Sequence, residues 1–142
     1  MLDKIVDGMI QKLNKAFGDD YKIYTESPQQ GLQEPCFFIK LNSSTNTKQV
    51  GERYSRENLF CIQYFPESKD NPKIECYKML DELYLAMEHI EVDGYLQQGI
   101  GMHGELVDGV LHFFVNYNML VKKVIDRQTM EVLEVLDVRT KG

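Results

Sequence analysis

Gly18-Asp19-Asp20-Tyr21-Lys22-Ile23-Tyr24, followed after a polar loop by Pro35-Cys36-Phe37-Phe38-Ile39, marks the passage from an opening helix to strands and decides the fold class. Upstream, Leu2, Ile5, Val6, Met9, Ile10, Leu13 and Phe17 recur at steps of three and four, with Asp3, Lys4, Asp7, Gln11, Lys12 and Lys15 on the other side. That period predicts an amphipathic helix over 2–17, stopped by Gly18. Tyr21 to Thr25 then reads as a short strand, and Ser27-Pro28-Gln29-Gln30-Gly31 as a loop. In the next strand, 36–41, alternation puts Phe37, Ile39 and Leu41 on one face, while Phe38 is apolar on the other.

Downstream, 42–57 is polar, with Val50 its one aliphatic residue, and reads as a loop or an extended arm at a partner surface. A third strand runs from Asn58 to Phe65, with Phe60, Ile62 and Tyr64 opposite Leu59, Cys61 and Phe65, and Pro66 ends it. Pro72 suits the first position of a helix reaching to about Ile90, whose stripe is Ile74, Tyr77, Leu80, Leu83, Tyr84, Met87 and Ile90, broadened by Met79. After an Asp93-Gly94 turn, 95–107 is weakly strand-like and broken by Gly99, Gly101 and Gly104. Asp108-Gly109 signals a two-residue hairpin, because both central positions of its turn need positive φ. Val110 to Val121 is the clearest strand, with Leu111, Phe113, Val115, Tyr117 and Met119 as its buried face. The terminal segment from Met130 to Val138 fits either a last strand or a short helix, free to pair with a neighbouring subunit. The order predicts an α+β fold: a mixed, mainly antiparallel β-sheet packed with two α-helices.

A chain of 142 residues fits one domain spanning 1–142. Its formal net charge of −6 has the wrong sign for broad phosphate binding, so direct sequence-specific nucleic-acid recognition is not expected. Cys36, Cys61 and Cys76 are odd in number and far apart, without metal-type spacing, and read as reduced core thiols. No secretory leader or membrane span is expected, since no apolar run approaches about 18 residues.

Chemistry-bearing patterns are missing. No nucleophile sits beside a base, and the three histidines follow no zinc spacing. His89 falls near the expected end of the second helix, where a cation suits the dipole. Asp19-Asp20, after a helix-ending glycine, is a turn former rather than an acid/base pair. Gly99-x-Gly101-x-x-Gly104 has dinucleotide-type spacing but leads into a hairpin, where that motif needs a helix. Accordingly no catalytic, metal or cofactor-binding residue is assigned, no cofactor is expected, and the chain is not read as an enzyme.

Four segments carry a resemblance that covers most of the chain in collinear order. They are Gly18 to Tyr24, Gln30 to Ile39, Phe60-Cys61-Ile62-Gln63-Tyr64-Phe65-Pro66, and Val107 to Tyr117. The chain resembles the phage tail terminator (tail-completion) proteins of prophages and phage-like elements of Gram-positive bacteria. That resemblance implies an α/β sandwich and a structural role: subunits form a hexameric ring on the finished tail tube, stop polymerisation and offer a surface to the head–tail connector protein. The implied partners are copies of itself, the tail-tube protein and the connector, with no membrane. The implied location is the bacterial cytoplasm during assembly and the particle tail afterwards.

A closing ring needs two different surfaces per subunit. The candidates are the parts least explained by a monomer core, namely 42–57 and the terminal segment 130–142. Arg53, Tyr54 and Arg56 are the candidate anchors in the first, because Tyr and Arg are enriched at hot spots. Val132 and Val135 are those in the second. Two other readings stand beside this one: an adaptor that binds a partner by sheet-edge addition, and a small hydrolase or nuclease using His103 and His112.

Overall fold

A computed structural model describes the backbone of residues 1–125 and 131–137, and the side chains of 1–123. Helix α1 (Leu2–Phe17) buries Ile5, Met9 and Leu13, the central members of its apolar stripe. Gly18 ends it at φ 76°, its N–H donating to the Asn14 carbonyl, and a single 3-10 turn (Gly18–Asp20) leads into β1 (Lys22–Tyr24). Strand β1 lies parallel to β2 (Cys36–Lys48), which forms a long antiparallel hairpin with β3 (Arg53–Phe65). Helix α2 (Pro72–Ala86) follows, then a two-stranded hairpin of β4 (His89–Val92) and β5 (Tyr95–Gln98). The chain returns to the main sheet as β6 (Ile100–Val107), β7 (Val110–Asn116), β8 (Met119–Ile125) and β9 (Glu131–Asp137). The result is the α+β fold that the periodicities predict: two helices on a mixed, mostly antiparallel sheet.

Strand β3 organises this sheet. Its far half, Leu59 to Tyr64, pairs with β7, and its near half, Arg53 to Arg56, pairs with β8. The body therefore reads β1-β2-β3-β7-β6, whereas the other end reads β2-β3-β8-β9. Both α1 and α2 cover one face of the body, over Phe37, Ile39, Phe60, Ile62, Tyr64, Leu111, Phe113 and Val115, and this layer is the core. Asp93 and Asp108 both take φ near 50° and the following glycines φ near 80°, the positive values that two-residue hairpins require.

Three expectations are corrected. The second helix stops at Ala86 rather than near Ile90, because Met87 closes its last turn and Ile90 enters β4. Its buried side is Cys76, Met79, Leu83 and Ala86, while Ile74 and Tyr77 are half exposed. The sequence 110–121 is not one strand: Tyr117 and Asn118 interrupt it, so β7 ends and β8 continues along the same side of β3.

That interruption is held by buried amides at the base of the β2–β3 hairpin. Asn58, fully buried, donates from Nδ2 to the Tyr117 carbonyl at 3.0 Å and accepts on Oδ1 from the Ser44 hydroxyl at 2.7 Å. Its backbone N–H donates to Asn118 Oδ1 at 3.1 Å, and Gln97 Nε2 donates to the Asn118 carbonyl at 2.6 Å. The Tyr117 hydroxyl donates to the Met87 carbonyl at 2.7 Å, tying the end of α2 to the same junction. Backbone groups freed where β7 leaves the ladder thus find side-chain partners, as buried polar groups must.

Candidate assembly interface

Beyond Asn58 the β2–β3 hairpin projects as an arm closed by the turn 49–52, and in β2 every residue from Lys40 to Lys48 is exposed. Strand β8 accompanies it to the tip, where the Lys123 N–H donates to the Glu52 carbonyl at 2.8 Å. The arm is a continuation of the body sheet, so its faces follow from the register. Lys48 pairs with Tyr54, Asn46 with Arg56 and Ser44 with Asn58, and Tyr54 and Arg56 in turn pair with Val121 and Met119. These residues share the helix side of the sheet, since paired residues point the same way. Arg53 lies on the opposite face, paired with Lys122.

The three candidate anchors in the arm therefore divide. Tyr54 is half-buried and packs on the edge of the core beside Val121, Arg56 is half-buried on the same face, and Arg53 is exposed on the other. This separates a folding role from a contact role. Tyr54→Ala should cost about 2 kcal/mol, in line with truncating a partly buried aromatic. Arg53→Ala should change stability by less than about 0.5 kcal/mol. Chemical denaturation of the two variants checks this; equal losses would place Arg53 in the fold.

Val132 and Val135 belong to β9, which pairs antiparallel with β8 in the register Val124↔Val132 and Val121↔Val135. Their side chains, like residues 126–130 and 138–142, lie outside the described residues.

Apart from the arm, two surfaces stand out. The sheet face away from the helices carries Phe38, Phe65 and Phe114 among Lys40, Gln63 and His112, and the loop before Pro35 folds against it. A shallow cleft of about 520 Å³ lies there, lined by Pro28, Leu32, Phe38, Lys40, Gln63 and Phe65. The second surface is the outer side of α2. Sequence periodicity assigned Ile74 and Tyr77 to the core stripe and so missed it; the usable signal was that apolar residues occupy most of α2's circumference, more than one covered side needs.

The titrating side chains are placed as follows. His103 stacks on Phe114 with ring centroids 4.7 Å apart, and His112 meets Gln63 at 3.3 Å opposite Glu105. Partial burial pushes the His112 pKa down, helped by Lys40 and opposed by Glu105. His89 opens β4 instead of capping α2. All three cysteines are buried and free, and burial, with a smaller contribution from Glu34, pushes the Cys36 thiol up to about 11. Among the described residues no three His, Cys, Asp or Glu side chains are grouped to hold a metal ion. No helix among them is long and apolar enough to cross a membrane.

The chain matches the family model described as "Phage tail terminator protein" over residues 4–129. It belongs to the phage tail terminator family. The match begins within α1 and runs through the arm and β8, so the helices, the body sheet and the arm are all inside it. A search of curated proteins finds no match. Membership makes the chain a structural tail component and places it in the tail of a phage particle, in contact with other tail or head proteins. In a terminator, exposed surface that the monomer leaves without a packing partner is where such contacts are sought.

Proposed function

We propose that this protein caps the completed tail tube of a prophage or phage-like element of a Gram-positive bacterium. It assembles in the cytoplasm as a hexameric ring, stops tube polymerisation and offers its free side to the head–tail connector. The observation that carries this reading is the family match across 4–129, which includes a sheet arm whose β2 strand is exposed from Lys40 to Lys48. A compact monomer has no use for such an arm, because exposed strands expose backbone groups without adding core. The arm, with Arg53, Tyr54 and Arg56, and the terminal segment, with Val132 and Val135, serve as contacts to neighbouring subunits or to the tube.

The test is electron microscopy of tubes grown from the tail-tube protein of the same phage-like element, with and without the present protein, paired with light scattering of the mixtures. Uniform tubes with a ring of density at one end are expected when it is present, and overlong tubes when it is absent. Tubes of unchanged length and bare ends would overturn the reading.

A further inference from the structure

Two backbone bonds at the tip of the arm fix which way its strands present their peptide groups. The Gln49 N–H donates to the Arg53 carbonyl at 2.7 Å, so Arg53 faces β2, and the Lys123 N–H donates to the Glu52 carbonyl at 2.8 Å, so Glu52 faces β8. Peptide groups alternate between the two sides along an antiparallel strand. In β2, Thr45 and Thr47 therefore bond to β3, while the N–H and C=O groups of Ser44, Asn46 and Lys48 point away from it. Strand β1 covers β2 only at Cys36–Phe38, so among the described residues those outward groups have no strand to pair with. From Leu41 to Thr47 this edge carries no charge and no proline, the usual protections of an exposed strand. The free edge of β6, by contrast, is broken by a register irregularity between Ile100 and His103, another such protection.

At the level of the arm the sheet runs β2-β3-β8-β9, and β9 is its other edge. The same alternation, carried through Lys122↔Glu134 and Val124↔Val132, turns the peptide groups of Val132 and Glu134 toward β8 and those of Glu131, Leu133 and Val135 outward. Four antiparallel strands are an even number, so β9 runs opposite to β2 and a second copy can extend the sheet without inverting its faces. The outward residues of the two edges all meet in one register alone: Ser44 with Val135, Asn46 with Leu133, Lys48 with Glu131. A shift by two residues either way loses a pair. Charge agrees with this register. Within the chain Lys48 is paired with Tyr54 and Glu131 with Ile125, whereas Glu134 already stands opposite Lys122, so the register joins the lysine and the glutamate that lack a charged cross-strand neighbour.

The stagger agrees as well. Inside one subunit Lys48 is level with Tyr54, Val121 and Val135, while this register sets it against Glu131 of the next. Four residues of offset, about 13 Å along the strands, over four strands, about 19 Å across, tilt the strands by about 35°, the tilt at which sheets close on themselves. Two unlike edges that fit each other in this way make a head-to-tail contact that closes.

We infer that β9 of one subunit adds, antiparallel, to the free arm edge of β2 in the next, with Asn46 opposite Leu133, so that one sheet runs on from subunit to subunit. The occupant of the edge is a second copy of this chain, because direction, register, charge and stagger all match the chain's own other edge. This joint rests on the ring reading above and names the backbone ladder that holds neighbours together.

The test places a cysteine on each edge of the full-length protein and adds it to purified tail tubes. Opposed residues that exchange backbone bonds have Cα atoms about 5.5 Å apart, a span that a disulfide bridges. Within one chain Asn46 and Leu133 lie on opposite edges of the four strands, so a bridge between them joins two copies. The native cysteines are buried and stay out of the reaction. Asn46→Cys with Leu133→Cys should cap tubes while reduced and, after oxidation, run on a denaturing gel as rungs up to the size of the whole ring. Thr47→Cys with Leu133→Cys, one residue out of register, should give less than about a tenth of that yield. Caps without rungs, or equal rungs from both pairs, would overturn the joint and leave the ring reading standing. Asn46→Pro removes an N–H that the chain's own ladder does not use, so it should lower capping at least tenfold with the melting temperature unchanged. Capping by this variant at the wild-type level would overturn the joint; unfolding would place that N–H in the chain's own ladder and overturn it too. Wild-type protein that leaves the tubes uncapped would overturn the ring reading, and this joint with it.

Discussion

Gly8→Val should lower the free energy of unfolding by about 3–4 kcal/mol, the upper end of what overpacking costs, with the gap of a lost helix contact added. Gly8 sits in the middle of α1, where glycine by itself costs roughly 1 kcal/mol against alanine. Its position is explained by what lies over it. A Cβ built at Gly8 would come 2.4 Å from the carbonyl oxygen of Glu91 in β4, and that neighbour is backbone, not the yielding end of a side chain. The substitution must push the β4–β5 hairpin off α1 or tilt the helix, and either movement opens the layer where Ile5, Met9, Ile90 and Val92 are buried. In a chain of this size the melting temperature should fall by about 10–15 °C. Ala16→Val, at an exposed site on the same helix, supplies the control and should cost under about 1 kcal/mol. A Gly8→Val protein within 1 kcal/mol of wild type would show that α1 does not rest on the β4 backbone.

Glu75→Ala should cost roughly 2–3 kcal/mol, since hydrogen bonds to a charged group contribute about 1.5–3 kcal/mol each and water replaces part of them here. One carboxylate closes the connection from β3 to α2. Its Oε2 accepts from the Tyr64 hydroxyl at 2.5 Å and from the Glu67 N–H at 2.8 Å, and its Oε1 accepts from the Ser68 N–H at 2.9 Å. Asn71 makes no side-chain cap, so Glu75, in the first turn of α2, is also the acidic group near the positive end of the helix. Partial burial pushes its pKa up, but the bonds from Tyr64, Ser68 and Glu67 outweigh that and hold it below the ordinary value. Burial and the same carboxylate push the Tyr64 hydroxyl up, so the shared proton stays on the tyrosine.

The sign for stability follows from Glu75's depressed folded value. Its contribution is fully present above the unfolded carboxyl pKa of about 4.3 and is lost as pH falls through the lower folded one. Wild-type stability should therefore drop across that acid window, and Glu75→Gln should be less stable than wild type at neutral pH yet flatter below pH 4.5. Urea unfolding at pH 7 and at pH 3 measures both. If wild type and Glu75→Gln lost equal stability between those two points, the acid dependence would belong to other carboxylates.

Periodicity and turn chemistry are local, and where the fold obeys them it was legible. The α1 stripe, the alternation in 36–41 and 58–65, and the two aspartate–glycine hairpins each depend on residues within a few positions of one another. For α2 the same method took in Leu83, Met87 and Ile90 but added the half-exposed Ile74 and Tyr77 and left out Cys76 and Ala86. A helix with apolar residues over most of its circumference admits several overlapping stripes, and only the sheet beneath it selects Cys76, Met79, Leu83 and Ala86. Val110 to Val121 reads as one strand because alternation continues unbroken through it. The break at Tyr117 and Asn118 is imposed by Asn58, some sixty residues away, which offers those backbone groups a partner.

The interface divides in the same way. Sequence alone singled out Arg53, Tyr54 and Arg56 as residues of the right kind in a segment too polar for core. It did not separate their faces, which depend on where β3 stops pairing with β7 and begins pairing with β8. It could not tell that Ile74 and Tyr77 stay outside α2's covered side, because exposure depends on the whole packed chain. Composition and short-range pattern thus determined an α+β chain with two helices, its principal strands and no recognisable catalytic motif. Tertiary structure decided which apolar residues remain outside, since burial of each depends on the geometry of elements that local sequence does not position.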